Sequence, residues 1–127
     1  MKKLVLISML FSSYMGMGQT ADSAKIIGKP IRIGNLVVAQ NDFPNQMNCF
    51  DAIDACKKLG SDWRLPTQEE MKSLYQSRDK IGGFTAKYYW TSTDVEPTSA
   101  IFQNIINGNQ FDGFKFLTYN VRAIRSF

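Results

Sequence analysis

The spacing of apolar positions changes several times along the chain, and each change marks an element. Leu4 to Phe11 is an apolar run behind Lys2 and Lys3, and the segment stays uncharged through Gly18. Gln19 to Lys29 is polar and is expected to be loose. Pro30 to Gln40 reads as a hairpin. Ile31-Arg32-Ile33 alternates, Gly34-Asn35 is a two-residue turn signal, and Leu36 to Ala39 is an apolar run. Gln40 to Met47, which contains Pro44, reads as a loop.

Helical spacing follows. Cys49, Ala52, Ile53, Cys56 and Leu59 form one stripe of a helix that Asn48 caps and Gly60 ends. Thr67-Gln68-Glu69-Glu70 is a capping box directly after Pro66. Met71, Leu74 and Tyr75 give this second helix its buried face, and it should fade before Gly82-Gly83. From Tyr88 the period becomes two. Tyr88 to Ser92, Ala100 to Ile106 and Gln110 to Phe116 read as strands, with Asn107-Gly108-Asn109 as a turn. Asn120 to Phe127 closes the chain with Val121, Ala123 and Ile124 inward. A hairpin, two helices and then an antiparallel sheet predict an α+β domain.

Composition narrows the chemistry. The 127 residues suit one domain, and 44% hydrophobic with 20% charged residues is neither disordered nor low-complexity. Without a single histidine there is no Ser-His-Asp triad, no Cys-His pair and no imidazole metal ligand. Residues 1–18 have the layout of a cleaved signal peptide, with Gly16 and Gly18 before a cleavage site at Gln19. Residues 19–29 are then a flexible N-terminal segment and residues 30–127 the domain. The address implies export, to the periplasm or to the cell surface and beyond, with no membrane span once it is removed. Its loss leaves 13 of the 15 basic groups against 11 acidic ones, a net charge of +2. No basic tract of five or more remains, so a nucleic-acid partner is not expected.

Cys49 and Cys56 are seven residues apart, about 10.5 Å of helical rise, beyond the roughly 7 Å Cα limit of a disulfide. Either the helix starts after Cys49, or both thiols lie unpaired on the buried stripe; the spacing favours the second. Trp63 and Leu65 read as core, and Arg64 as a clamp pairing with Glu69 or Glu70, or with a carbonyl-rich turn. Arg122 and Arg125 are three apart and face opposite ways on a strand, so at most one is buried against acids. The stretch from Asp94 to Asn120 mixes amides with aromatics, a composition that suits recognition of sugars or protein surfaces. Its candidate ligand-binding residues are Asp94, Glu96, Asn107, Asn109, Gln110, Asp112, Lys115 and Tyr119. Most of its Phe residues are expected in the core. No catalytic residue, metal ligand set or cofactor is expected.

Trp63-Arg64-Leu65-Pro66-Thr67-x-x-Glu70, then Tyr89-Trp90-Thr91-Ser92-Thr93, then Val121-Arg122-Ala123-Ile124-Arg125 resemble the motifs of the Lcl C-terminal-domain-like family. That family is named for the domain that ends a bacterial collagen-like surface adhesin. It is similar to C-type-lectin-like domains and to the formylglycine-generating-enzyme fold. The resemblance covers about Ile26 to Phe127. It implies two helices flanking a small antiparallel sheet, N- and C-terminal strands close together, and a recognition surface on the loops after Trp90. Trp63, Arg64, Leu65, Pro66, Thr67, Glu70, Trp90, Ser92, Arg122 and Arg125 are then scaffold. Many members carry Trp where Cys49 stands, and an aromatic where Ile101 stands. Many bridge a Cys in the last motif to the position of Cys56; Ala123 stands there, so that bridge cannot form. Glu96-Pro97-Thr98 resembles the acid-Pro-amide triplet of calcium-dependent lectins, but no Trp-Asn-Asp follows it. The expectation is an exported, non-enzymatic module binding a glycan or surface protein through residues 94–119. The alternative is a structural or assembly subunit of an envelope or pilus-like complex.

Overall fold

A computed structural model describes residues 21–127, so the expected signal peptide and its cleavage site lie outside the described residues. The described chain runs α1 (Ala21–Ile27), β1 (Ile31–Ile33), β2 (Leu36–Val38), α2 (Cys49–Leu59), α3 (Gln68–Gln76) and α4 (Arg78–Ile81). It continues as β3 (Tyr88–Glu96), β4 (Ser99–Asn104), β5 (Gln110–Phe114) and β6 (Ile124–Ser126). Two antiparallel sheets form, in the orders β1-β2-β6 and β3-β4-β5. The N- and C-terminal strands therefore share a sheet. Among the described residues no helix is long and apolar enough to cross a membrane.

The local signals explain the elements. Gly34-Asn35 turns the β1–β2 hairpin. Asn48 caps α2 by accepting from the Asp51 amide. At α3 both halves of the capping box are made: Thr67 Oγ1 accepts from the Glu70 amide, and Glu70 Oε1 accepts from the Thr67 amide. One expectation fails. The polar stretch read as loose forms α1. Ile26 and Ile27 pack against the core, and their carbonyls accept from the Asn41 and Gln40 amides. Seven residues are too short for a periodicity signal, and tertiary packing holds them.

Two cores lie on either side of the central strands. Val37, Trp90 and Ala123 join Cys49, Ala52, Cys56 and Leu59 of α2. Their chain neighbours Val38, Tyr89 and Ile124 join Met71 and Leu74 of α3. Successive strand residues point to opposite faces, so each of these pairs serves both cores. Double burial also explains why Leu36 to Ala39 is a continuous apolar run. The two long helices thus cover the two faces.

The sheets are joined by the segment from Tyr119 to Ile124. Tyr119 exchanges backbone bonds with Met47, and Asn120 pairs with Tyr88 and Trp90. Val121 accepts from Phe43, Ala123 from Ala39, and Ile124 exchanges bonds with Arg64. Buried Arg122 reaches sideways from this segment. Its Nε donates to Asp42 Oδ1 at 2.8 Å, and its terminal nitrogens donate to the Ala39 and Gly82 carbonyls at 3.2 Å. Asp42 Oδ2 accepts from the Thr85 amide, the Thr85 hydroxyl and the Tyr89 hydroxyl. Burial, then the adjacent carboxylate, pushes the Tyr89 phenol up, so it stays a donor. Gly83 is required here. At φ +73° a Cβ would lie 2.7 Å from the Gln40 carbonyl oxygen and 3.1 Å from the Arg122 guanidinium.

The other motif residues support one another. Arg64 donates to both Glu70 oxygens at 2.7 and 2.9 Å and to Ser126 Oγ at 3.2 Å. Ser92 donates from its amide to the Pro66 carbonyl, and Thr93 Oγ1 accepts from the Gln68 amide. Trp90 is fully buried and donates from Nε1 to the Met47 carbonyl at 2.9 Å. Arg125 lies partly exposed over the Trp63 ring, on the other side from Arg122.

Two outcomes are expected. Asp42→Ala leaves a buried guanidinium without its anion and should cost about 3–5 kcal/mol in urea unfolding. Arg125→Ala loses a partly exposed ring contact and should cost no more than about 1 kcal/mol; equal losses would contradict the burial of only one arginine against acid. The second outcome concerns pH. The bonds from Arg64, and next those from Thr67, hold the Glu70 carboxyl below its ordinary value of 4.5, against the opposing effect of burial. A carboxyl depressed by folding stabilises above its unfolded pKa and loses that contribution as pH falls through the folded one. Wild-type stability should therefore drop more steeply below pH 4.5 than that of Glu70→Gln. Parallel profiles would count against the Arg64–Glu70 clamp.

A candidate ligand-binding surface on the outer strand

β5 has a partner on one side only. Its sequence places Phe111 and Phe114 on it, with Phe116 and Leu117 just beyond, and all four are exposed; Phe116 reaches 69%. The expectation that most of these Phe residues are core is corrected: Phe102 is buried, but Phe111, Phe114 and Phe116 are not. Alternation reports a core face only where another layer covers it, and among the described residues no element covers this edge. Of the exposed rings, Phe111 stands on a buried one, while Phe114 and Phe116 stand on each other. Tyr119 lies against Phe102 with centroids 4.2 Å apart, Phe102 stacks on Phe111 at 5.4 Å, and Phe114 stacks on Phe116 at 5.4 Å. Gly113 makes room for this column, since a Cβ there would lie 2.8 Å from the Phe102 ring.

The eight candidate ligand-binding residues do not form one site. Asn107, Asn109 and Gln110 lie at the turn end of the β4–β5 hairpin, Asp94, Glu96 and Lys115 lie at its other end, and Asp112 stands between them opposite Ile101. The six residues of β4 separate those ends by roughly 17 Å. At the turn end the side chains serve the fold. Asn107 Oδ1 accepts from the Asn109 amide, and Gln110 Nε2 donates to the Gln68 carbonyl and to Gln103 Oε1. At the other end Lys115 is buried and pairs with Asp94 at 2.9 Å. Its carbonyl accepts from the Cys49 amide, which ties this loop to the start of α2.

What remains is a cavity of about 360 Å³ beside the β3–β4 turn. Glu96, Asp112 and Ser99 line it, with Phe102, Phe114 and Tyr119 as its rings. Ser99 is 5% exposed, and among the described residues its Oγ has no hydrogen-bond partner. Sequence reasoning missed Ser99, because a serine following a Pro-Thr turn carries no signal of burial. Two larger clefts lie elsewhere, about 710 Å³ beside Arg78 to Lys87 and about 510 Å³ under α1. In the smaller of these buried Asp42 is bonded by Arg122, and in the larger half-buried Arg78 donates to the Tyr75 carbonyl.

The thiols supply no nucleophile. Cys49 and Cys56 are buried and unpaired, on the α2 stripe. Burial pushes Cys56 up to about 12. Burial also raises Cys49, although the nearby Lys115 charge opposes it. Neither forms a thiolate at neutral pH.

The family model of the Lcl C-terminal domain matches residues 23–125. The chain belongs to the Lcl C-terminal domain family. Its match begins within α1, so that helix belongs to the family domain. No curated protein is significantly similar in sequence. Among solved structures the fold is similar to botrocetin, with a TM-score of 0.58 and 9% identity over 79% of this chain and 98% of that one. It is likewise similar to a chain in the complex of a mutant von Willebrand factor A1 domain with botrocetin. There the TM-score is 0.57, with 10% identity and the same coverage. At such identities the likeness is one of fold. This Lcl C-terminal domain is an α+β domain of the C-type-lectin-like kind.

Proposed function

We propose that this Lcl C-terminal domain is an exported, non-enzymatic binding module that engages a glycan or a protein surface of the cell envelope through the outer face of β5. The observation that carries the reading is the uncovered aromatic edge. Phe114, Phe116 and Leu117 are exposed at the cavity that Glu96, Asp112 and Ser99 line, and Phe111 is exposed on the opposite face of β5. Exposed rings contribute large, rigid apolar area at low entropic cost, which suits sugar faces and protein surfaces. The motif residues are spent on capping, core packing and the buried ion pair, so they hold this edge rather than act on a ligand. Export follows from the N-terminal layout of Lys2, Lys3 and the Leu4 to Phe11 run. The same rings favour a second reading, a subunit that docks through them into a larger envelope assembly.

Arrays of glycans and of cell-envelope proteins, probed with the purified protein with and without calcium, test the first reading. Phe114→Ser and Phe116→Ser should reduce the signal about tenfold or more while changing stability by less than about 0.5 kcal/mol. Binding that survives both substitutions would move the site away from β5. Blank arrays together with concentration-dependent oligomers in sedimentation would favour the assembly role.

A further inference from the structure

Strand register brings the unpaired polar groups of the β5 cavity onto one face. Glu96 on β3 stands opposite Ser99 on β4, and Ser99 stands opposite Phe114 on β5. Asp112 lies two residues before Phe114, on the same face. Among the ion pairs of the described residues neither Glu96 nor Asp112 has a cation; the one lysine of this loop, Lys115, is taken by Asp94. The site therefore presents two free carboxylates and aromatic rings over one buried, unpartnered hydroxyl, with no positive charge of its own.

We propose that this cavity holds a primary ammonium group of the ligand. The proposal rests on the binding reading above and names the chemistry the site selects. Carboxylates supply the countercharge, and ring faces attract a cation through their quadrupole. A buried hydroxyl left unpaired is costly, and an N–H of the ligand removes that cost by donating to Ser99 Oγ. This donor separates a primary ammonium from a quaternary one, which has no N–H. A volume of about 360 Å³ admits an amino-sugar ring or the end of a lysine side chain. Calcium fits less well, because it wants six to eight oxygens. Among the described residues no three metal-ligating side chains cluster.

The test is titration of the purified protein with glucosamine and with lysine amide, followed in proton–nitrogen NMR spectra. N-acetylglucosamine serves as the neutral comparator and choline as the quaternary one. Saturable shifts at the Glu96, Ser99 and Phe114 amides are expected with the primary amines, and binding about tenfold or more weaker with both comparators. Preference for glucosamine points to a glycan source of the ammonium, and preference for lysine amide to a protein source. The double variant Glu96→Gln with Asp112→Asn should lose about tenfold or more. Ser99→Ala, which keeps both carboxylates, should lose several-fold, with unchanged spectra elsewhere as the check on folding. No saturable shift with either amine overturns the proposal, as does equal binding of either comparator or unaltered binding by the double variant. If array binding still depends on Phe114 and Phe116 while both amines fail, the ammonium proposal falls and the binding module stands. If the amines bind the cavity while the arrays stay blank, the reverse holds.

Discussion

The structure depends on one buried ion pair. Arg122 and Asp42 are 80 residues apart in sequence and almost fully excluded from water. Taking both charges out of water is expensive, and only a complete set of partners offsets it. That set is present. Arg122 bonds Asp42, Ala39 and Gly82, and Asp42 also accepts from Thr85 and Tyr89. Each partner belongs to a different stretch of chain: the exit from β2, the turn after α4, the approach to β3, and β3 itself. The pair need not be more stabilising than a well-packed apolar substitute. Its consequence is positional, because few other arrangements of these stretches satisfy both charges.

The rest follows from that positioning. With Arg122 held, the segment from Tyr119 to Ile124 lies between the sheets and completes backbone bonds to both. Val121, Ala123 and Ile124 then enter the two cores, and Ile124 exchanges bonds with Arg64. Arg64 in turn clamps Glu70 at the start of α3. Trp90 is covered from one side by Tyr119, and Tyr119 carries the column of rings that ends at the surface on β5. A rigid interior thus supports an edge that nothing in the described chain covers.

Local chemistry made much of this legible beforehand. The capping box at Thr67, the turn at Gly34-Asn35 and the α2 stripe are short-range patterns whose causes lie within a few residues. The opposed directions of Arg122 and Arg125 follow from strand geometry alone. Asp42 was not legible as the anion, because a loop residue 80 positions away carries no periodic signal. Nor was α1, whose seven residues are held by packing on the core and by bonds to the loop after β2. The candidate surface was half legible. The exposed rings lie within the stretch from Asp94 to Asn120, but sequence nearness hid that a hairpin sends Asn107 and Glu96 to opposite ends. The exposure of Phe111, Phe114 and Phe116 depends on which strand is outermost, and that is a property of topology rather than composition.

Native-state hydrogen exchange tests most directly whether the buried pair binds these stretches into one unit. The amides to follow are Phe43, bonded to Val121; Thr85, bonded to Asp42; and Trp90, bonded to Asn120. All three should exchange only through global unfolding, with one common free energy and one common dependence on denaturant. Separate openings at these amides, with different denaturant dependences, would contradict the claim that Arg122 and Asp42 hold the two sheets together.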